Sequence, residues 1–142
     1  MRKLLSAAAF ALLLAGCSHD PGDLESPDSP VAHYDWSSRD GGMDALLEGA
    51  LELRDGCLVV NPSWDDAGTV VVAAFPRAYA SWDADREVLS YAGRDYRVGD
   101  SMWAAGGSVP SPPDAVIPAS CAVEAGDDVF LVQATSLEPP EG

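Results

Sequence analysis

"ALELRDGCLVVN", residues 50–61, is the stretch whose reading decides the fold. Leu51 and Leu53 alternate with Glu52 and Arg54, Asp55-Gly56 follows, and then Leu58 and Val60 take up the alternation again. Asp-Gly between two alternating runs is the clearest short hairpin signal, because both central residues of a type I′ turn take positive φ. A two-residue loop also sets the register. Leu53 then faces Leu58 and Leu51 faces Val60 on one side, while Arg54 faces Cys57 and Glu52 faces Val59 on the other. The first side is wholly aliphatic, as a core face should be.

Further strands extend from this hairpin in both directions. "TVVVAAFP", residues 69–76, is a β-branched run ended by proline and reads as a central strand. "REVLSYAGRDYRVGD", residues 86–100, reads as a second hairpin, with Ala92-Gly93 at a corner where alanine resists positive φ. "DDVFLVQAT", residues 127–135, supplies a closing strand. The piece between, residues 101–126, is too rich in Pro and Gly for a long helix, and one helical turn is expected near Asp114 to Ile117. The only other helical period is a weak one at Met43 to Leu47. The expectation is an all-β domain over residues 46–135: five to six strands in a small antiparallel meander, closed into a barrel or a half-open sandwich. Residues 136–142 read as a frayed tail, and the Pro-, Gly-, Ser- and Asp-rich run before the domain, with His33, Tyr34 and Trp36 in it, reads as a flexible stalk spanning residues 17–45. As a coil it would hold the domain about 25–30 Å from its point of attachment.

That attachment is read at the amino end. Arg2 and Lys3 precede an apolar run from Leu4 to Leu14, and Leu14-Ala15-Gly16-Cys17 follows. The layout is that of a secretory signal peptide over residues 1–16, too short to span a bilayer as a helix. The last four residues resemble the lipobox of bacterial lipoproteins. The resemblance implies cleavage before Cys17, acylation of its thiol, and a lipid bilayer as partner. Ser18 in place of an aspartate implies the outer membrane in a diderm host; in a monoderm host the anchor would face outward from the plasma membrane. With Cys17 committed to lipid, Cys57 and Cys121 form an even pair in an exported, oxidising setting, and a disulfide between them is expected. Cys57 lies off the aliphatic face, so the bond would pin the Pro-rich connection across the outside of the first hairpin. Residues 49–132 are also similar to small exported bacterial proteins that share a Gly-Cys hairpin, a Ser-Trp-Asp segment, a Val-Gly-Asp turn and a late cysteine; no activity comes with that likeness.

Charge narrows the partners. Removing Arg2 and Lys3 from the 8 basic residues leaves six arginines against 23 acids, a balance of −17. Such a domain is repelled by nucleic acid and by anionic headgroups. The chain's histidines, His19 and His33, both fall in the expected stalk, so the domain carries no Ser-His-Asp or Cys-His set. No phosphate-cradling loop, zinc spacing or haem attachment motif appears, and no cofactor, metal or catalytic residue is assigned. Asp83, Asp85 and Glu87 alternate, but lack the glycine bend and the bidentate acid of a calcium loop, and read as a solvated turn paired with Arg86. Trp64, Trp82 and Trp103 each sit beside turn residues and are the candidate binding surface, with Trp82 the one best suited to a core. The first functional expectation is a non-enzymatic envelope module binding a protein or cell-wall partner. The alternatives are an acidic inhibitor or immunity protein for a basic partner, and a small cell-wall hydrolase using Asp65-Asp66 or Asp83 with Asp85.

Overall fold

The computed structural model describes residues 20–141. The expected signal peptide over residues 1–16, Cys17 and His19 lie outside them. The described chain is all-β with nine strands: β1 Ala32–Tyr34, β2 Ala45–Arg54, β3 Cys57–Pro62, β4 Val71–Pro76, β5 Ala80–Asp83, β6 Val88–Tyr91, β7 Arg94–Arg97, β8 Ser101–Pro110 and β9 Asp128–Val132.

Five of these make a closed barrel. Long β2 pairs with β3 along one edge and with β8 along the other; β3 pairs with β4 and β8 with β9. The ring closes where β4 meets β9, Ala73 opposite Phe130 and Ala74 opposite Leu131. The closed all-β barrel agrees with the expectation, and its last pair is parallel: β9 returns to β4 after the long connection from β8 and runs in the same direction. The strand order around the ring is β2-β3-β4-β9-β8. The first hairpin has the expected register, Leu53 opposite Leu58, Leu51 opposite Val60 and Arg54 opposite Cys57, and Asp55 and Gly56 take φ of 52° and 81°.

The second hairpin, β6–β7, is also present, with Leu89 opposite Tyr96. Ala92 does adopt φ 49° at its corner. With β5 it forms a separate three-stranded sheet inserted between β4 and β8. Trp82, Leu89, Tyr91 and Tyr96 of this sheet join Leu47, Leu51, Leu58, Val60, Phe75, Met102 and Phe130 of the barrel in one core. The small sheet therefore plugs the barrel.

Residues 101–110 depart most from expectation, forming a ten-residue strand, β8, where only irregular structure was read. Met102, Ala104 and Gly106 are buried, while Ser101 and Ala105 are exposed, so alternation is present but carried by small side chains. A Cβ on Gly106 would collide with the Leu131 carbonyl, and one on Gly49 with the Asn61 carbonyl. Where strands approach this closely only glycine fits, so the glycines that argue against a strand are the ones that let the barrel close.

The expected stalk is corrected. Leu24, Val31 and Ala32 are fully buried, and Tyr34 nearly so. Strand β1 runs parallel to β4, Ala32 opposite Ala74, and the Leu58 amide donates to the Pro30 carbonyl at 2.8 Å. The intervening chain turns repeatedly: the amides of Leu24, Ser26 and Ser29 donate to the carbonyls of Pro21, Asp23 and Ser26. These turns bring irregularly spaced apolar residues onto one surface, which no periodic pattern records. The frayed tail is corrected too, at least to Glu138. Leu137 is 1 % exposed, its carbonyl accepts from the Trp103 amide, and the Tyr96 hydroxyl donates to Glu138 at 2.6 Å. Residues 43–47 lead into β2 instead of a helix, and the helical turn expected at Asp114 to Ile117 is displaced to a 3-10 turn at Ala119–Cys121.

Cys57 and Cys121 are bonded, with Cα atoms 4.9 Å apart. The bond holds the 3-10 turn across the outside of the first hairpin, where the Ser120 hydroxyl also donates to the Gly56 carbonyl at 2.8 Å. A bridge spanning 64 positions stabilises by about 4 kcal/mol in the chain-entropy picture.

Candidate functional site

The three tryptophans do not come together on one surface. Trp82 is 3 % exposed in the plug sheet and is removed from the candidate surface by burial. Trp64 is 61 % exposed in the β3–β4 connection, and Trp103 is half-buried on β8 opposite Glu48. The carboxylates proposed for hydrolysis do not oppose one another across a cleft either. Asp65 accepts from the Ala67 amide within its own turn, and exposed Asp66 follows it directly. Asp83 accepts from the Arg86 amide and pairs with its guanidinium at 3.6 Å. Among the described residues no three His, Cys, Asp or Glu side chains are grouped as metal ligands would be.

A different site emerges where the misread segment packs. Residues 24–33, Arg77 just after β4, and residues 116–119 of the β8–β9 connection enclose an open cleft of about 520 Å³. Leu24 and Val31 are wholly buried apolar residues at its lining, and Val116, 50 % exposed, stands on the opposite side with Ile117 and Pro118. Two backbone hydrogen bonds between His33 and Val116, at 2.8 and 3.1 Å, hold the two sides together. The Cys57–Cys121 bond fixes the far end of the same strap.

Ser29 and His33 are the buried polar side chains of the described chain, at 6 % and 4 % exposure, and both line this cleft. Burying such groups costs free energy unless each polar atom finds a partner. Ser29 meets that demand by accepting from the Val31 amide at 3.2 Å. His33 meets half of it. Its Nδ1 lies 3.2 Å from the Val31 carbonyl, and because a carbonyl only accepts, Nδ1 carries the proton. Nε2 has no hydrogen-bond partner among the described residues. A hydrogen bond at one imidazole nitrogen fixes the ring and leaves the other nitrogen available to a ligand.

Arg77 supplies the nearby charge. Its Nη1 donates to Glu25 at 3.0 Å, and Nε lies 2.7 Å from Asp35 Oδ1. The second contact is close enough for attraction but is off the N–H direction, so it is an ion pair without an aligned hydrogen bond. Both carboxylates are more than half exposed, and pairs of that kind hold a side chain in place without adding much stability. The cleft thus offers an imidazole nitrogen of His33 that no described residue engages, a positioned guanidinium and an apolar side.

His33 was missed as a site residue because it falls in a run of loop-forming composition. The signal was nonetheless present in "PVAHYDW", residues 30–36, where Val31, Ala32, His33 and Tyr34 follow a proline with no further turn former until Asp35. Comparison of the chain with protein-family models, with curated proteins and with solved structures returns no match, so the site stands on its own geometry.

Proposed function

We propose that this chain is a lipid-anchored domain of the bacterial cell envelope that binds a ligand in the His33 cleft without converting it. The single observation that carries the binding reading is the convergence of both buried polar side chains on one open cleft, one of them with an unused nitrogen. The ligand it suits presents a hydrogen-bond donor to His33 Nε2 and an apolar edge to Val116 and Pro118. A wall-derived peptide or glycan fragment has that chemistry. Anchoring rests on the lipobox-like run ending at Cys17, and the disulfide is in keeping with export. Ser18 favours the outer membrane of a diderm host, or the outer face of the plasma membrane in a monoderm one.

The test uses the chain's own scarcity of histidine. With ¹⁵N-labelled histidine the spectrum contains only His19 and His33, and soluble wall fragments are titrated in. A shift at His33 Nε2, absent at His19 and abolished in Val116→Asp, supports the reading. Unmoved His33 signals with peptide and glycan fractions alike overturn it.

A second reading has its own observation. Four of the six arginines beyond the signal region already pair with carboxylates of this chain: Arg54 with Glu52, Arg77 with Glu25 and Asp35, Arg86 with Asp83 and Asp95, and Arg94 with Glu138. The remaining acids form a largely uncompensated surface that favours a basic protein partner, as an acidic inhibitor would. Such a complex dissociates as salt is raised. The hydrolase reading finds no opposed carboxylate pair to rest on. Turnover of a wall polymer, lost in Asp83→Asn or Asp65→Asn, is the result that would revive it.

A further inference from the structure

The described chain is docked from Asp20 onward. The Trp82 amide donates to the Pro21 carbonyl at 3.2 Å, and the Asp23 amide donates back to the Trp82 carbonyl at 2.8 Å. Gly22 sits so close to β5 that a Cβ there would lie 2.5 Å from the Trp82 carbonyl oxygen. Asp20 caps this contact by accepting from the Gly22 amide at 2.9 Å, and the Ala84 amide donates to Asp23 Oδ2 at 3.2 Å. The chain is therefore stitched to the β5–β6 hairpin from Asp20 onward.

Three peptide units separate Cys17 from Asp20, and at 3.8 Å per unit they reach at most about 11 Å. We infer that the domain rides directly on the bilayer, with the plug end of the barrel, formed by Asp20–Asp23 and the β5–β6 hairpin, held at the lipid headgroups. This rests on the proposed acylation of Cys17. A leash of some 25 residues would have let the domain turn any face toward the membrane; three units do not.

A reference position is identifiable from the chain itself. The connection that carries Trp64 and Asp66 enters β4 at its start, whereas the plug sheet follows the end of β4. The tether, not adhesion, imposes the orientation: Asp20, Asp23 and Asp83 line one pocket with Arg86 at the plug end, giving it no affinity for anionic headgroups. The occupant of that face is the headgroup layer, held there by covalent reach. The His33 cleft begins at Leu24, seven units from Cys17 and so within about 27 Å of it. A ligand would therefore be taken close to the membrane surface.

Full-length acylated protein in phosphatidylcholine vesicles carrying a headgroup acceptor dye tests the orientation. A donor dye is placed at exposed Asp85→Cys in one sample and exposed Asp66→Cys in another. Energy transfer several-fold stronger from position 85 than from 66 is expected. Inserting a dozen Gly and Ser residues between Ser18 and His19 should erase most of that difference. Equal transfer from both positions in vesicle-bound, mass-verified acylated protein overturns the inference. Protein of unacylated mass that stays in solution overturns the anchoring reading instead, so the two failures are distinguishable.

Discussion

The β2–β3 hairpin and the segment from Asp20 to Tyr34 bury aliphatic side chains in the same core, yet only one of them is written in a recognisable pattern. In the hairpin, Leu51, Leu58 and Val60 reach the core because alternation and an Asp-Gly turn place them there, and their cross-strand partners within the hairpin lie within ten residues. In the segment, Leu24 and Val31 are as deeply buried, but their support comes from Trp82, Leu58, Ala74 and Val116, all distant in sequence. The hairpin's order is local and the segment's is borrowed from the finished barrel. The barrel should therefore survive loss of the segment, whereas the segment should not survive loss of the barrel.

The most damaging change tests the second half of that statement. Gly106→Val places a side chain against the Leu131 carbonyl in the wall that β8 shares with β9. A backbone collision in the wall has no flexible neighbour to yield, and a loss beyond about 4 kcal/mol is expected. Circular dichroism and hydrogen exchange should show barrel and segment lost together. Protection persisting in residues 20–34 would break the comparison.

Next in size is the disulfide. Replacing both Cys57 and Cys121 by serine releases the strap from the first hairpin and should cost about 4 kcal/mol or somewhat less, given residual order in the unfolded chain. Denaturant midpoints report the loss. Exchange should rise at residues 115–122 and at His33, since the strap is the partner of His33 through Val116. An unchanged midpoint would mean that the backbone bridge alone holds the strap.

Leu24→Ala probes the first half. Truncating a fully buried leucine costs about 3 kcal/mol where the cavity cannot collapse. Here the segment has a cheaper response, which is to detach. Amides of residues 20–34 should then exchange faster while those of β2 and β3 keep their protection, and the fall in global midpoint should be smaller than for Leu58→Ala. Equal global losses would show one cooperative unit instead of two.

Legibility follows the same division. Both hairpins, the register of the first and the side of it that Cys57 occupies are set by neighbours in sequence, and they were readable. β8 was not, because its alternation is carried by alanine and glycine, which mark loops by composition and strands only where backbones must touch. The parallel pairings β1–β4 and β4–β9 leave no local trace, since parallel partners are joined by long connections. The cleft depends on both, so His33 could be seen as an extended residue but not as a buried one. Its significance comes from Val116 and Arg77, which packing alone brings near.

The smallest effect separates clamping of the chain's two ends from mere contact. Tyr34 of β1, and Tyr91 and Tyr96 of the plug sheet, donate their hydroxyls to Val132, Ala134 and Glu138, so three phenols grip the C-terminal segment. Burial raises all three above the usual phenol range of about 10. In the unfolded chain these groups ionise near pH 10, whereas in the fold they stay protonated. Their contribution is thus complete below pH 10 and is lost as pH rises toward the folded pKa, by up to about 1.4 kcal/mol per pH unit for each group. Tyr34→Phe removes one hydrogen bond and should cost about 1 kcal/mol at pH 7. It also removes one ionisable group, so the deficit relative to the native chain should shrink at pH 11, where the native chain is losing stability through Tyr34 and the variant is not. Denaturation curves at the two pH values read this directly. A deficit that stays constant would mean that the Tyr34 hydroxyl is open to solvent, and that β1 belongs to the loose part of the molecule after all.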